Sequence, residues 1–578
     1  MKLADGTKKK IAYVLIALSV IAAIKLIITD YTLDEEYQLL MAYRNIRGDA
    51  IFGEMWEPHQ TSAFFCIGIM FLYKLIVGSY TGVIIATRVV TTLIQAGLSV
   101  WIFFALKRIL DKDEAFLAGV LFFNSSPKLI EIPEFSNLQL WFFTVMALSL
   151  IHYYHIQAEK KGRVLFLILA SAAMAGEVLC YPSCIILFPV TVGYILYKSR
   201  NKRIRDALIF IFGDIACACV WLLIVLRKIS VSELIRNLKN TVEFDLTHDL
   251  SGATDGKLSG TLSYLGKMGL IILCICVFSG IVYFIIKSAR NKKEKSTGIF
   301  FFIIPAVLAS DMVQIVYWLV LRKGYEYPQI HLMVLLIATV AVTVSIIKDK
   351  EYREKIKPLL YGFVCSVISI LAVFYMSDLQ LLNAIPHGML GVVFSLPILS
   401  MAIKKDNETE GKALVYILFI GLILTALIGK GASFKDGRNL KSPLDIRGIM
   451  KHGPAAGIMS DYMCCYIYNC NYEDFRENIE EGDKVLIVTN MVFSPGTTPY
   501  MFGEYEVCHF SIVDPTSYDE RLLKYWEAYP DKKPDVIVVD CWYGELQEDE
   551  NSWIMQYIQN DFGYKEAIDG RYVRFYKK

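Results

Sequence analysis

Three consecutive acids, Asp34-Glu35-Glu36, follow closely on the first apolar run, Ile11 to Ile28. Farther on come Met55-Trp56-Glu57-Pro58-His59-Gln60, then Arg88 near the head of the next apolar run. Ionisable groups in or beside a bilayer are costly and are functional candidates on that ground. Acids in a solvated first helical turn are also favoured by the helix dipole, and that reading stands beside the first. The set suits one kind of chemistry. Moving a sugar off a lipid phosphate needs no acid for the leaving group, because the phosphate departs as a stable anion. It needs a carboxylate to take the proton of an acceptor hydroxyl, and cations or donors to hold the phosphate.

The elements that must position these groups are membrane helices. Of the 578 residues, 55% are hydrophobic and 20% charged, against about 25% charged in a soluble domain. The mean hydropathy is +0.43. The net charge of +2 gives no global field for nucleic acid. A helix needs about 20 apolar residues to cross a bilayer. The runs that meet or approach this are Ile11–Ile28, Val83–Phe104, Ala115 to about Ile132, Leu138–Tyr154, Val164–Leu179, Cys184–Leu196, Ala207–Leu226, Met268–Ile286, Ile299–Val320, Ile330–Ile347, Leu359–Tyr375, Met389–Ile403 and Ala413–Ile428. They predict an α-helical polytopic membrane protein of about 13 spans. The short basic loops at Lys107-Arg108, Lys160 to Arg163, Lys198 to Arg205, Lys287 to Lys295, Lys348 to Lys357 and Lys404-Lys405 then fall on one side, with the N-terminus. The positive-inside rule makes that side cytoplasmic. The membrane domain is expected to span about 1–429 of a plasma-membrane protein, with 430–578 on the extracytoplasmic side. The outer loops are expected at about 30–82, 124–137 and 227–267. Counting the apolar Ser62–Val77 as a span would invert every later loop, so it is expected to lie along the outer face.

The last block reads as a small α/β domain. Ala455 to Asn469 and Tyr518 to Ala528 are expected helices. Lys484 to Thr489 and Pro534 to Asp540 are apolar, β-branched strands. Trp553 to Gln559 is a further helix, and Tyr564 to Tyr576 a hairpin turning at Asp569-Gly570. There is no GxGxxG or P-loop. A structural cap over the membrane site is the expected role. The cysteines have no zinc spacing. For Cys464, Cys465, Cys470, Cys508 and Cys541 a disulfide and free buried thiols are both open.

Leu33-Asp34-Glu35, Glu57-Pro58-His59 and Arg88 resemble the first outer loop of the GT-C glycosyltransferases, above all the protein O-mannosyltransferases and the bacterial lipid A aminoarabinose transferases. The resemblance implies a polyprenyl-phosphate-linked sugar donor, a hydroxyl-bearing acceptor and transfer at the extracytoplasmic face, for cell-envelope glycan, polysaccharide or protein modification. It makes Asp34 the general base within an Asp34-Glu35 catalytic pair. Glu57 and His59 would organise the acceptor or a metal, and Arg88 would steady the loop or contact phosphate. A divalent metal is neither required nor excluded. The stretch Asn124 to Phe142 is similar to the family's second outer loop, but Asn137 stands where an Asp is common. Asn cannot act as a base, so weight shifts to Asp34, with Glu134 as a substitute carboxylate. Tyr181-Pro182 stands where the aminoarabinose transferases carry a Lys. Arg322-Lys323-Gly324-Tyr325-Glu326-Tyr327-Pro328 is a short outer loop that is strongly basic against the charge rule, and the family has a Tyr/Pro segment there. Arg322 and Lys323, with Tyr325 and Tyr327, are therefore the expected lipid-phosphate ligands; attraction to anionic headgroups is the other reading.

The rival class is a multi-span transporter or a flippase for lipid-linked glycans, which would carry internal repeats and paired mid-membrane charges. No repeat is visible, and the acids concentrate at the outer face. Asp214, Asp311 and Gln314 do lie within predicted spans. They read either as an ion relay or as satisfied polar contacts between helices.

Overall fold

A computed structural model describes residues 5–30, 32–57, 59–127, 129, 131–156, 162–199, 202–243, 257–289, 300–321, 329–377, 379–406, 408–434, 440, 442–488, 498–510, 519–540 and 552–578. Every apolar run named above forms a helix. In chain order these are α1 (Asp5–Ile28), α4 (Val83–Leu106), α5 (Lys112–Phe123), α6 (Phe135–Ile151), α7 (Val164–Cys180), α8 (Leu187–Lys198), α9 (Arg203–Leu226), α11 (Lys257–Ala289), α12 (Phe300–Leu319), α13 (Ile330–Ile346), α14 (Lys350–Met376), α15 (Met389–Asp406) and α16 (Glu408–Ala432). Three more helices, α2 (Leu33–Arg47), α3 (Gln60–Val77) and α10 (Val231–Glu243), lie in the connections. By length and composition, ten helices among the described residues can cross a membrane, and three shorter ones are apolar. The window over α6 is 83% buried and that over Leu381–Lys404 is 94% buried, whereas α9 and α11 are 11% buried in theirs. The first two therefore form the centre of the bundle, and the last two turn their apolar sides outward, as helices facing lipid do.

The helix ends sort onto two faces. Lys8 pairs with Asp113 at 2.7 Å and Lys404 with Asp111 at 2.8 Å. The Tyr153 hydroxyl donates to Asp206 at 2.6 Å. These contacts gather the starts of α1, α5 and α9 and the ends of α6 and α15 at one face. At the other face the Asp30 N–H donates to Met459 O at 2.9 Å, and the Gly82 N–H to Gly453 O at 2.9 Å, so the ends of α1 and α4 there carry the C-terminal domain. Both ends of α3 lie at this domain-bearing face. Near its start the Thr61 hydroxyl donates to Leu179 O at the end of α7, and near its finish Lys74 pairs with Glu504 of the C-terminal domain. An 18-residue helix is about 27 Å long, and this one runs along the face.

The C-terminal domain is built on β3 (Lys484–Val488) and β5 (Val536–Asp540), two apolar strands paired in parallel with Val485 opposite Val536. The sheet order is β4-β3-β5-β7-β6, with β4 (Glu506–Val507) parallel to β3, and the hairpin of β6 (Glu566–Asp569) and β7 (Val573–Lys577) closing the other edge antiparallel. A separate two-stranded ladder joins β1 (Gly448–Ile449) to β2 (Met459–Ser460). The helix expected over Ala455 to Asn469 is displaced: α17 is Tyr462–Asn478. Asp461 caps it by accepting the Cys464 N–H at 3.0 Å, and Gly453 and Gly457 at positive φ hold the preceding segment in a turn. Helices α18 (Asp519–Ala528) and α19 (Trp553–Tyr557) complete the domain. Cys464, Cys465, Cys470 and Cys508 are free thiols; Cys541 lies outside the described residues.

Candidate active site at the domain-bearing face

The acid triplet opens α2, and the fold gives each member a different environment. Glu35 is fully buried and takes Arg88 in a two-pronged pair, Nε to Oε1 at 2.9 Å and Nη2 to Oε2 at 2.7 Å. Arg88 also donates to the carbonyls of Ile27 at 2.8 Å, Thr29 at 3.3 Å and Asp30. One guanidinium thus ties the end of α1, the turn after it and the first turn of α2 to α4. The Thr32 N–H adds a bond to Glu35 Oε2 at 3.1 Å, one arm of a helix-capping arrangement. Glu36 is buried and accepts the Thr498 N–H of the C-terminal domain at 3.2 Å. Asp34 is the partly exposed member of the three.

Glu57 is drawn into a buried network. Arg44 of α2 pairs with Glu57 and, at 2.8 Å, with Asp49, and it donates to Glu54 O at 2.8 Å. Lys532 of the C-terminal domain meets the other oxygen of Asp49 at 2.5 Å. Burial pushes the Glu57 carboxyl up to about 7, against the pull of Arg44. Burial also acts upward on Asp49, but Arg44 and Lys532 outweigh it and hold that carboxyl below its ordinary range. Trp56 carries the same loop into the C-terminal domain. Its N–H donates to Phe510 O at 3.0 Å, and its ring packs among Leu486, Phe510, Tyr525 and Trp526. The Tyr43 hydroxyl donates to Tyr505 O at 2.6 Å. The first loop and the C-terminal domain therefore share one core.

His59 stands at the head of α3 with φ 60°, in the left-handed region. Among the described residues, three of the four non-glycine positions with positive φ, namely Asp30, Phe52 and His59, fall in this loop. Each is held by its surroundings: the Asp30 carbonyl by Arg88, the Phe52 N–H by Gln60 at 2.8 Å, and the His59 carbonyl by the Ser62 hydroxyl at 2.7 Å. Strain held in this way is a feature of functional loops. The His59 ring stacks on Phe135 at 4.0 Å and lies 5.5 Å from Tyr181, whose ring is 5.2 Å from His387. His59, Tyr181 and the start of α6 are thus brought together. Glu134 and Asn137 shape that start. Glu134 is buried and accepts the N–H groups of Ser136 at 2.9 Å and Asn137 at 2.7 Å, and the Asn137 amide donates to Ile132 O at 2.9 Å. Arg322, Lys323, Tyr325 and Tyr327 lie outside the described residues. No group of three His, Cys, Asp or Glu among the described residues is placed to hold a metal ion.

Two residues absent from the sequence expectations join this region. Glu177, one turn before Tyr181, is fully buried and accepts from the Gln139 amide at 3.1 Å. His387, buried after the short helix Leu381–Ala384, faces Tyr181. An acid within the apolar run Val164–Cys180 was the available signal for Glu177. A lone His in Pro386-His387-Gly388 gave none without the fold.

No family model matches the chain, and no curated protein does. Solved structures to which it is similar include the archaeal oligosaccharyltransferase AglB from Archaeoglobus fulgidus in complex with an inhibitory peptide and a dolichol-phosphate. That match has 10% identity, covers 91% of this chain and 69% of that one, and has a TM-score of 0.46. They also include ArnT from Cupriavidus metallidurans bound to undecaprenyl phosphate, at 12% identity over 98% of this chain and 97% of that one, with a TM-score of 0.44.

Proposed function

We propose that this protein is a membrane glycosyltransferase that moves a sugar from a polyprenyl-phosphate donor to an acceptor hydroxyl at the face covered by the C-terminal domain. The observation that carries the reading is the sorting of the acid triplet. Glu35 and Glu36 are consumed by Arg88 and by the C-terminal domain. Asp34, partly exposed in the same turn, is the carboxylate a substrate can reach. Asp34 then takes the acceptor proton as the sugar leaves the phosphate. Glu35 acts through Asp34 as a positioning residue, because the Arg88 clamp fixes the turn that presents it. His59, Tyr181 and His387 offer an aromatic wall for the substrate, and aromatic faces suit the apolar faces of a sugar ring. Arg322 and Lys323 hold the lipid phosphate. The gathering of the basic loops at the face opposite the C-terminal domain supports an extracytoplasmic site in the plasma membrane.

The test uses membranes bearing the full chain, supplied in turn with polyprenyl-phosphate-linked hexoses and pentoses, with release of polyprenyl phosphate as the readout. Asp34→Asn is expected to abolish release while expression and insertion stay at wild-type levels. Undiminished release by that variant rules out Asp34 as the base.

A further inference from the structure

Asp311 lies on α12, about 16 Å from one end of the helix at 1.5 Å per residue, and so near the middle of the membrane domain. It is 3% exposed, and neither of its carboxylate oxygens has a hydrogen-bond partner. No charged side chain acts on it. One turn toward the domain-bearing face, Gln314 is fully buried with its amide nitrogen unpartnered, while its oxygen accepts the Ile330 N–H at 3.2 Å. That bond sets Gln314 against the start of α13, next to His331, whose Nδ1 is also buried and unpartnered. The His331 ring lies 5.9 Å from Trp318. Trp318 and His331 line a crevice of about 320 Å³ together with Gln329, Ser125 and Leu422.

Satisfied contact between helices does not describe these groups, because the neighbouring polar atoms are already spent. The Ser310 hydroxyl donates to Val307 O at 2.7 Å and the Thr425 hydroxyl to Gly421 O at 2.9 Å. Gly421 of α16 faces the carboxylate, and a methyl group there would stand 3.5 Å from Asp311 Oδ2. Buried polar atoms are almost always paired, and a carboxylate charge is not carried bare in an apolar interior. Three unpartnered groups in file, beginning at a crevice and ending at an acid, mark a path for a small positive species.

We propose that Asp311 is an exchangeable cation site: it binds a proton or a sodium ion that reaches it from the domain-bearing face past His331 and Gln314. In the proton form one O–H bond forms on the carboxylate, the proton coming from solvent. In the sodium form the carboxylate and the Gln314 oxygen are ligands, with water completing the shell. Among the groups on elements packed against α12, α13 brings His331. α16 brings Lys430 at the domain-bearing end and Tyr416 at the other, and α11 brings Tyr283 and Lys287 near the far face. None of these pairs with Asp311. The site is independent of the sugar-transfer reading.

The experiment treats the full chain in lipid nanodiscs with dicyclohexylcarbodiimide, which modifies neutral carboxyls in apolar surroundings, and maps the adduct by mass spectrometry. A proton site gives an adduct on Asp311 that is lost as pH rises. A sodium site gives one that is lost on adding Na⁺ at constant pH and ionic strength. Either outcome supports the proposal. No adduct on Asp311 in protein that labels elsewhere, or an adduct indifferent to both pH and Na⁺, overturns it. Peptide mapping of the wild-type chain needs no variant. Where Asp311→Asn folds, it is expected to lose the response of the melting temperature to the same cation, and an unchanged response overturns the proposal equally.

Discussion

Glu57 offers a test of the network that joins the first loop to the C-terminal domain, and the perturbation is Glu57→Gln. Its carboxyl is fully buried and is raised from 4.5 to about 7 in the folded protein. At 1.36 kcal/mol per pKa unit the preference of the folded state for the neutral form is about 3 kcal/mol. The folded chain therefore binds this proton more tightly than the unfolded chain, and its stability falls as pH rises from about 4.5 to about 7. Glutamine cannot ionise, so that contribution vanishes in the variant. Loss of the Arg44 contact adds an offset. Asp49 works in the opposite sense, since its carboxyl is held low; its stabilisation is lost only as pH falls below about 4, outside the window. Urea unfolding of wild type and Glu57→Gln in nanodiscs at pH 5 and pH 8 reads the difference. The variant is expected to gain about 3 kcal/mol on wild type between the two pH values. A difference that does not change with pH refutes the reasoning. A variant that loses ground as pH rises shows that the Arg44 pair holds Glu57 charged throughout.

Arg88→Ala strands the fully buried Glu35 carboxylate and is expected to cost about 3–5 kcal/mol in the same assay; a loss below about 1 kcal/mol contradicts the clamp. Trp56→Ala removes a ring from the core of the C-terminal domain and should cost about 3–5 kcal/mol. It should also open the first loop to limited proteolysis, and unchanged protection would mean that the ring does not tie the domain down. Replacing Arg322 and Lys323 together by Ala should raise the KM for the lipid-linked donor while leaving that for the acceptor unchanged. Equal effects on both would assign the loop a structural role.

The sequence by itself determined where the helices are and which ends belong together. An apolar run long enough to cross a bilayer has no alternative to helix, since each backbone polar group must be satisfied within the segment. The basic loops carry the sorting of the ends in their own charges. The strands Lys484–Val488 and Val536–Asp540 and the turn at Asp569-Gly570 were legible for an equally local reason, namely β-branched runs and turn residues. Tertiary structure decided what local pattern could not. Asp34, Glu35 and Glu36 are three acids of one chemistry in one turn, and only the positions of Arg88, 53 residues on from Glu35, and of Thr498, 462 residues on from Glu36, assign two of them to the scaffold. The meeting of Trp56 with the C-terminal core and of His59 with Tyr181 is likewise a matter of long-range packing. So is the bare carboxylate of Asp311, because the absence of a partner is a property of every neighbour at once and is written in no single stretch of chain.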